Sequence, residues 1–163
     1  MRQIVDKDIS AVLSMLEKSD NEFFGKISEE FDKAQFQVVD YLYEVEDDFF
    51  TADERDLLIN TVTFGWYIIK ESVGCEAKID ADILDESLDK NYTHFDEHKG
   101  EIYIENEKLT DIMSERNNQN ILMKFLLGFI FDRPENEDEI IRDEAIEIIL
   151  IHLKTSIDVL LQV

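Results

Sequence analysis

Apolar residues recur along most of this chain at alternating steps of three and four, the spacing that sets one face of an α-helix. From about Asp6 to Lys18, Ile9, Val12, Leu13 and Leu16 share a face, and Asp6 and Asp8 stand at the positive end of the helix dipole. Ser19-Asp20-Asn21 breaks that element and offers caps to the next. A longer seam follows through Ile27, Phe31, Ala34, Val38, Leu42 and Val45, which predicts one second helix with an acidic outer face of Glu29, Glu30, Asp32, Asp40 and Glu44. Phe23 and Phe24 either extend it backwards past Gly25 or form a separate turn.

Thr51-Ala52-Asp53-Glu54 reads as a capping box, in which the threonine hydroxyl accepts from the N3 amide and the glutamate reaches back. The third helix then runs to about Val73, with Gly74 as its stop. Its middle, Leu57 to Ile69, is apolar on most faces, the profile of a helix packed on several sides, and Gly65 gives a neighbour room to approach. A fourth helix starts at Asp80, carries Ile83, Leu84, Leu88, Tyr92 and Phe95 as its stripe, and ends before Gly100. The stretch 101–105 alternates like a strand, but the pattern offers it no partner, so an extended loop is expected. Asn106 caps a short helix with Leu109, Ile112 and Met113. The nearly all-apolar run from Asn118 to Phe131 is the next helix, stopped by Arg133-Pro134. Asn136, with Glu139 three residues on, opens a last helix to about Leu161 whose broad buried face includes Ile148, Ile149, His152, Val159 and Leu160.

These elements make an all-α chain: six or seven helices in a single domain spanning residues 1–163, arranged as an antiparallel bundle or a stack of helical hairpins. No fixed-period repeat and no low-complexity linker divides it. Hydrophobic residues at 44% are enough for a core, and five Gly with one Pro are too few for a turn-rich β architecture.

Charge is the strongest compositional feature. Thirty-nine acidic residues against sixteen basic ones leave a formal net charge of −23. Such a field repels phosphate backbones and anionic membrane surfaces, and it speeds encounter with a basic protein. The single cysteine, Cys75, has no partner for an intrachain disulfide, and Met1 to Asp6 lacks the apolar core of a signal peptide. The longest apolar stretch, Ile121 to Phe131, is too short for a bilayer. A cytoplasmic location is the expectation.

Candidate chemistry is sparse. His94 and His98 stand four apart, a spacing able to put two imidazoles on one metal, but the flanking Asp96, Glu97 and Lys99 suggest a solvated helix end, and no metal is expected there. His152, among isoleucines and leucines, reads as a core or core-edge residue hydrogen-bonded to a neighbour. Nothing beside Cys75 in sequence would activate its thiolate. With no phosphate loop, zinc motif, paired Cys-x-x-Cys or nucleophile elbow, neither an enzyme nor a cofactor is expected.

What remains is three acidic clusters. Glu44, Glu46, Asp47, Asp48, Asp53, Glu54 and Asp56 surround one helix junction that also holds Phe49 and Phe50; Asp132, Glu135, Glu137, Asp138, Glu139, Asp143 and Glu144 surround another; Asp80, Asp82, Asp85, Glu86 and Asp89 decorate a third helix start. Acids at helix N-termini follow partly from the dipole alone. The partner-binding residues expected are Glu46, Asp47, Asp48, Phe49, Phe50, Asp53, Glu54, Asp56, Glu135, Glu137, Asp138 and Glu139. They fit an immunity or antitoxin-like inhibitor that neutralises a basic partner such as a nuclease toxin. A DNA mimic that occupies a DNA-binding protein, a helical adaptor or oligomerisation domain, and a Mg²⁺-dependent carboxylate hydrolase are the rival classes.

Overall fold

The structure, a computed structural model, describes residues 1–20, 22–75, 78–101, 106–132 and 140–162. Within them the chain is all-α, with α1 (Asp6–Glu17), α2 (Phe23–Ala34), α3 (Phe36–Glu44), α4 (Ala52–Ser72), α5 (Ala81–Glu97), α6 (Asn106–Ser114), α7 (Asn120–Phe131) and α8 (Asp143–Leu160). Eight helices replace the six or seven expected, because the long second seam is two helices. Phe23 and Phe24 do extend it backwards past Gly25. Gln35 then leaves the helical region (φ −134°, ψ 46°) and breaks the seam between Ala34 and Phe36. Periodicity carries across this joint because both halves present their apolar faces to α4. The strand-like residues 102–105, and Asn136 with Glu139, lie outside the described residues; the last helix is described from Asp143.

Local chemistry at the starts of α4 and α5 follows the sequence. The Glu54 amide donates to Thr51 Oγ1 at 3.2 Å and the Thr51 amide to Glu54 Oε1 at 3.0 Å, closing the capping box. Asp80 caps α5 by accepting from the Ile83 amide at 2.9 Å. α4 packs against α1, α2, α3, α7 and α8, as its apolar girth predicts. At Gly65 the neighbours come so close that an added Cβ would stand 2.6 Å from Ile157 Cδ1 and 3.1 Å from Leu126 Cδ1.

α8 is the other centre. From Ile149 to Leu161 every residue is buried, on all faces of the helix. It runs antiparallel to α5: Ile79 and Ser87 lie beside Val159, and Phe95 and Asp96 beside Ile148. It runs in the same direction as α4, with Glu54 opposite Arg142, Gly65 opposite Ile157, and Cys75 donating to the Leu160 carbonyl. Short loops force antiparallel packing only between helices adjacent in the chain, and α4 and α8 are far apart in sequence.

Because α8 is enclosed, its polar side chains must be satisfied inside. The Asp158 carboxylate accepts from Asn117 Nδ2 at 2.7 Å, Lys154 Nζ at 2.9 Å, Asn91 Nδ2 at 3.2 Å and Arg116 Nη2 at 3.3 Å. Lys154 also donates to the Glu115 carbonyl at 2.7 Å, and Arg116 to Asn91 Oδ1. Asn91 brings α5, and Arg116 and Asn117 bring the turn after α6, so one carboxylate ties two other parts of the chain to the central helix. The N-terminal segment is tied separately: the Ile4 amide donates to Gln119 Oε1 at 2.8 Å, and Arg2 reaches the Ser72 carbonyl at 2.8 Å. No described helix is long and apolar enough to cross a membrane.

Candidate functional site: the junction between α3 and α4

The junction that concentrates acids in the sequence divides in the structure into an inner and an outer set. Glu46, at the start of the turn, has φ 54°, a left-handed conformation uncommon for a residue with a side chain. Its carbonyl accepts from the Phe49 and Phe50 amides at 2.9 and 3.0 Å, which closes the turn. Its half-buried carboxylate points inward, where Oε1 accepts from Tyr92 Oη at 2.8 Å and from His152 Nε2 at 3.2 Å.

His152 is 0% exposed and sits among the rings of Tyr41, Phe50 and Tyr92, with centroids 5.6, 6.1 and 6.2 Å away. A carboxylate can only accept, so His152 carries its proton on Nε2, and Nδ1 accepts from the Tyr41 hydroxyl. The carboxylate, imidazole and phenol are connected like a proton relay. Burial, however, pushes the Tyr41 hydroxyl far above its ordinary value, so it stays protonated and is held as a donor. Burial likewise lowers the His152 pKa, with the Glu46 hydrogen bond opposing it, which keeps the ring neutral at pH 7. An imidazole hydrogen-bonded to its neighbours in the core is what the sequence pattern suggests at His152.

This gives a directional pH dependence. Because the folded-state value of His152 lies below the ordinary 6.5, the unfolded chain binds that proton first, and stability falls as pH drops below about 6.5. Denaturant midpoints of the wild type should decline through this range, and those of His152→Gln should decline less. An identical decline in the variant would show that other groups carry it.

Glu54 also belongs to the inner set. It is 0% exposed, and Arg142 donates to it from the backbone amide at 2.9 Å, from Nε at 3.0 Å and from Nη2 at 2.6 Å. The Arg142 hydrogen bonds, opposed by burial and aided by the Thr51 and Arg142 amides, lower the Glu54 pKa to about 2. Arg142 further donates to the Phe49 carbonyl and lies over the Phe49 ring at 4.7 Å, while Arg55 lies over Phe50 at 5.5 Å. Four of the residues expected at a partner surface are thus placed largely inside the junction. Glu46, Phe49, Phe50 and Glu54 close the junction from within: Tyr92 and His152 pair the Glu46 carboxylate, Arg142 pairs that of Glu54, and the two rings pack under Arg142 and Arg55. Asp53 is half-buried and accepts from the Ile140 amide at 3.3 Å. Glu135, Glu137, Asp138 and Glu139 lie outside the described residues.

The outer set is different. Asp47, Asp48 and Asp56 are exposed, as are Asp40 and Glu44 on α3. None of these five carboxylates forms an ion pair with a described residue. Phe36, Asp40, Tyr43 and Glu44 follow i, i+4, i+7, i+8 spacing along one outer face of α3, and the two rings are each 57% exposed. The exposed aromatic rings on this face of α3 are thus Phe36 and Tyr43. The sequence hides them, since Phe36 sits at a helix joint that periodicity runs through, and Tyr43 lies one residue beyond the buried Leu42.

The other candidates from sequence resolve as follows. His94 is 8% exposed, a correction to the solvated reading, because its ring packs inward and Nε2 donates to the Ile112 carbonyl at 2.9 Å. His98 is half-buried and meets Glu101. Cys75 is half-buried, and burial pushes its thiol up to about 11, which keeps it protonated at neutral pH. Comparison with known proteins finds no matching family model, no matching curated protein and no matching solved structure.

Proposed function

We propose that this chain is a binding protein that docks on a basic protein partner through the outer face of α3 and the turn that follows it. An immunity or antitoxin-like inhibitor of a cationic nuclease is the class that fits best, acting in the cytoplasm. The observation that carries this reading is the face itself: two exposed aromatic rings interleaved with Asp40, Glu44, Asp47 and Asp48, none of them neutralised by a described cation. Aromatic rings with few rotatable bonds supply binding energy, and surrounding carboxylates steer a cationic patch toward them. The net charge of −23 extends that steering over the whole molecule. The inner set supports the reading indirectly, since it holds the turn rigid and little conformational entropy is lost on docking.

The test is titration of the chain against a cationic nuclease domain encoded beside it, at several salt concentrations, with nuclease activity as a second readout. Affinity should fall steeply with salt. Tyr43→Ala should weaken binding by about 30-fold at every salt concentration, as loss of a buried aromatic anchor does. Asp47→Asn with Asp48→Asn should instead slow association and flatten the salt dependence. Salt-insensitive affinity, or unchanged binding in both variants, would overturn the proposal.

A further inference from the structure

On a different part of the surface, the last turn of α5 and the turn after α6 bring together three residues that the α3 face does not use. His94 and His98 stand one helical turn apart, with ring centroids 4.8 Å apart. Glu115 follows the end of α6, and its Oε2 lies 3.5 Å from His94 Nε2. One ligand atom from each of the three lies within 4.8 Å of the others. We propose that His94, His98 and Glu115 form a binding site for a divalent transition-metal ion of the zinc type.

The donor set favours this ion class. Two imidazoles and one carboxylate suit zinc and its neighbours in the first row, whereas magnesium and calcium take oxygen ligands. The proton positions suit it as well. His98 Nδ1 lies 2.9 Å from Glu101 Oε2, and a carboxylate can only accept, so the neutral His98 ring carries its lone pair on Nε2. A carboxylate holding the far nitrogen is the usual support of a metal-bound histidine, fixing its tautomer and orientation. His94 Nε2 lies 2.9 Å from the Ile112 carbonyl and 3.5 Å from Glu115 Oε2, so the ring ligates through Nε2 by giving up that carbonyl, or through Nδ1 while keeping it.

Position and mobility are divided sensibly among the three. His94 is buried and fixed by α6, while the Glu115 backbone is pinned by Lys154, whose Nζ donates to its carbonyl at 2.7 Å. The Glu115 side chain is exposed and can swing. Tetrahedral ligands about 2.0 to 2.2 Å from zinc lie roughly 3.3 Å apart, so the group must tighten by about 1.5 Å. The carboxylate has the freedom to do so. The nearest guanidinium does not compete, because Arg116 is turned inward to Asn91 and Asp158. Three protein ligands leave a fourth position for water, and Glu97 lines a groove together with His94 and Glu115. The sequence shows only the histidine pair; the third ligand comes from the turn after α6.

The test must separate this site from loose cation binding on a strongly acidic surface. Cobalt is titrated into the full chain in excess magnesium, which occupies carboxylates without offering imidazole coordination, and the cobalt ligand-field spectrum is followed; zinc is then added in competition. One equivalent of cobalt should bind with a low-symmetry, four-coordinate spectrum and be displaced by one equivalent of zinc. His98→Ala and Glu115→Gln, both at partly exposed positions, should each weaken binding by about 100-fold, and Glu101→Gln by about 10-fold, with unchanged circular dichroism. Cobalt binding that is multi-site, retains an aquo-ion spectrum and is unaltered in both ligand variants would mean an adventitious ion only and would overturn the site. Absence of any spectral change would overturn it equally. Neither outcome bears on the α3 face, which is tested by a protein partner.

Discussion

Asp158→Ala is expected to lower the unfolding free energy by about 3–5 kcal/mol, the usual cost of stripping one partner from a buried ion pair. The aspartate and Lys154 are 1% and 0% exposed, so the ammonium left behind has no water to turn to. Burial already lowers the Lys154 pKa, with Asp158 opposing that shift, and removing the carboxylate removes the opposition. Asn91, Asn117 and Arg116 lose an acceptor at the same time. Urea denaturation followed by circular dichroism should show a midpoint lower by about 2 M, taking the slope usual for small domains. Replacing both charges, as Lys154→Met with Asp158→Leu, should recover part of this loss, because the uncompensated ammonium is gone. A single variant as stable as wild type would mean that water reaches Lys154 and that the enclosure of α8 is incomplete.

Arg142→Ala is the second large effect, expected at about 3 kcal/mol at neutral pH. The guanidinium is one-third exposed, so its removal also admits some water to Glu54, which places the cost at the lower end for a buried pair. Its pH dependence is the sharper readout. Glu54 has an ordinary value of 4.5 and a folded value of about 2, so the unfolded chain takes up that proton first. The contribution is therefore complete above about pH 4.5 and is lost as pH falls toward 2, a span worth about 3 kcal/mol. Stability curves of wild type and Arg142→Ala should converge through that window. Parallel curves across it would place the acid sensitivity elsewhere among the 39 acidic residues.

Of the residues in these two networks, only Glu54 stands out in the sequence, and Asp158, Lys154 and Arg142 do not. Thr51 and Glu54 were legible as a capping box, because both hydrogen bonds are local and three residues apart. That Glu54 has a further partner 88 residues away was not legible, since nothing near Arg142 in the chain points to it. Acid density marked the α3–α4 junction as unusual, yet density alone cannot say which carboxylates face out. Glu46 and Glu54 are turned in by specific donors, while Asp47, Asp48 and Asp56 are left in solvent. His94 and His98 are visible as a pair, but Glu115 joins them only because the end of α6 meets the end of α5.

By itself, then, the sequence determined what depends on neighbours within a turn or two: helical periodicity, caps, the girth of α4, the need for small Gly65, and the charge. Packing between distant segments sets the break at Gln35, the parallel course of α4 and α8, the inward turn of Glu46 and Glu54, and the residues gathered on Asp158. The division has one physical cause. Helical hydrogen bonds and side-chain spacing are local and write themselves into the chain, whereas the partner of a buried charge is chosen by packing between distant segments, and many pairings of 39 acids with 16 bases are consistent with the same pattern.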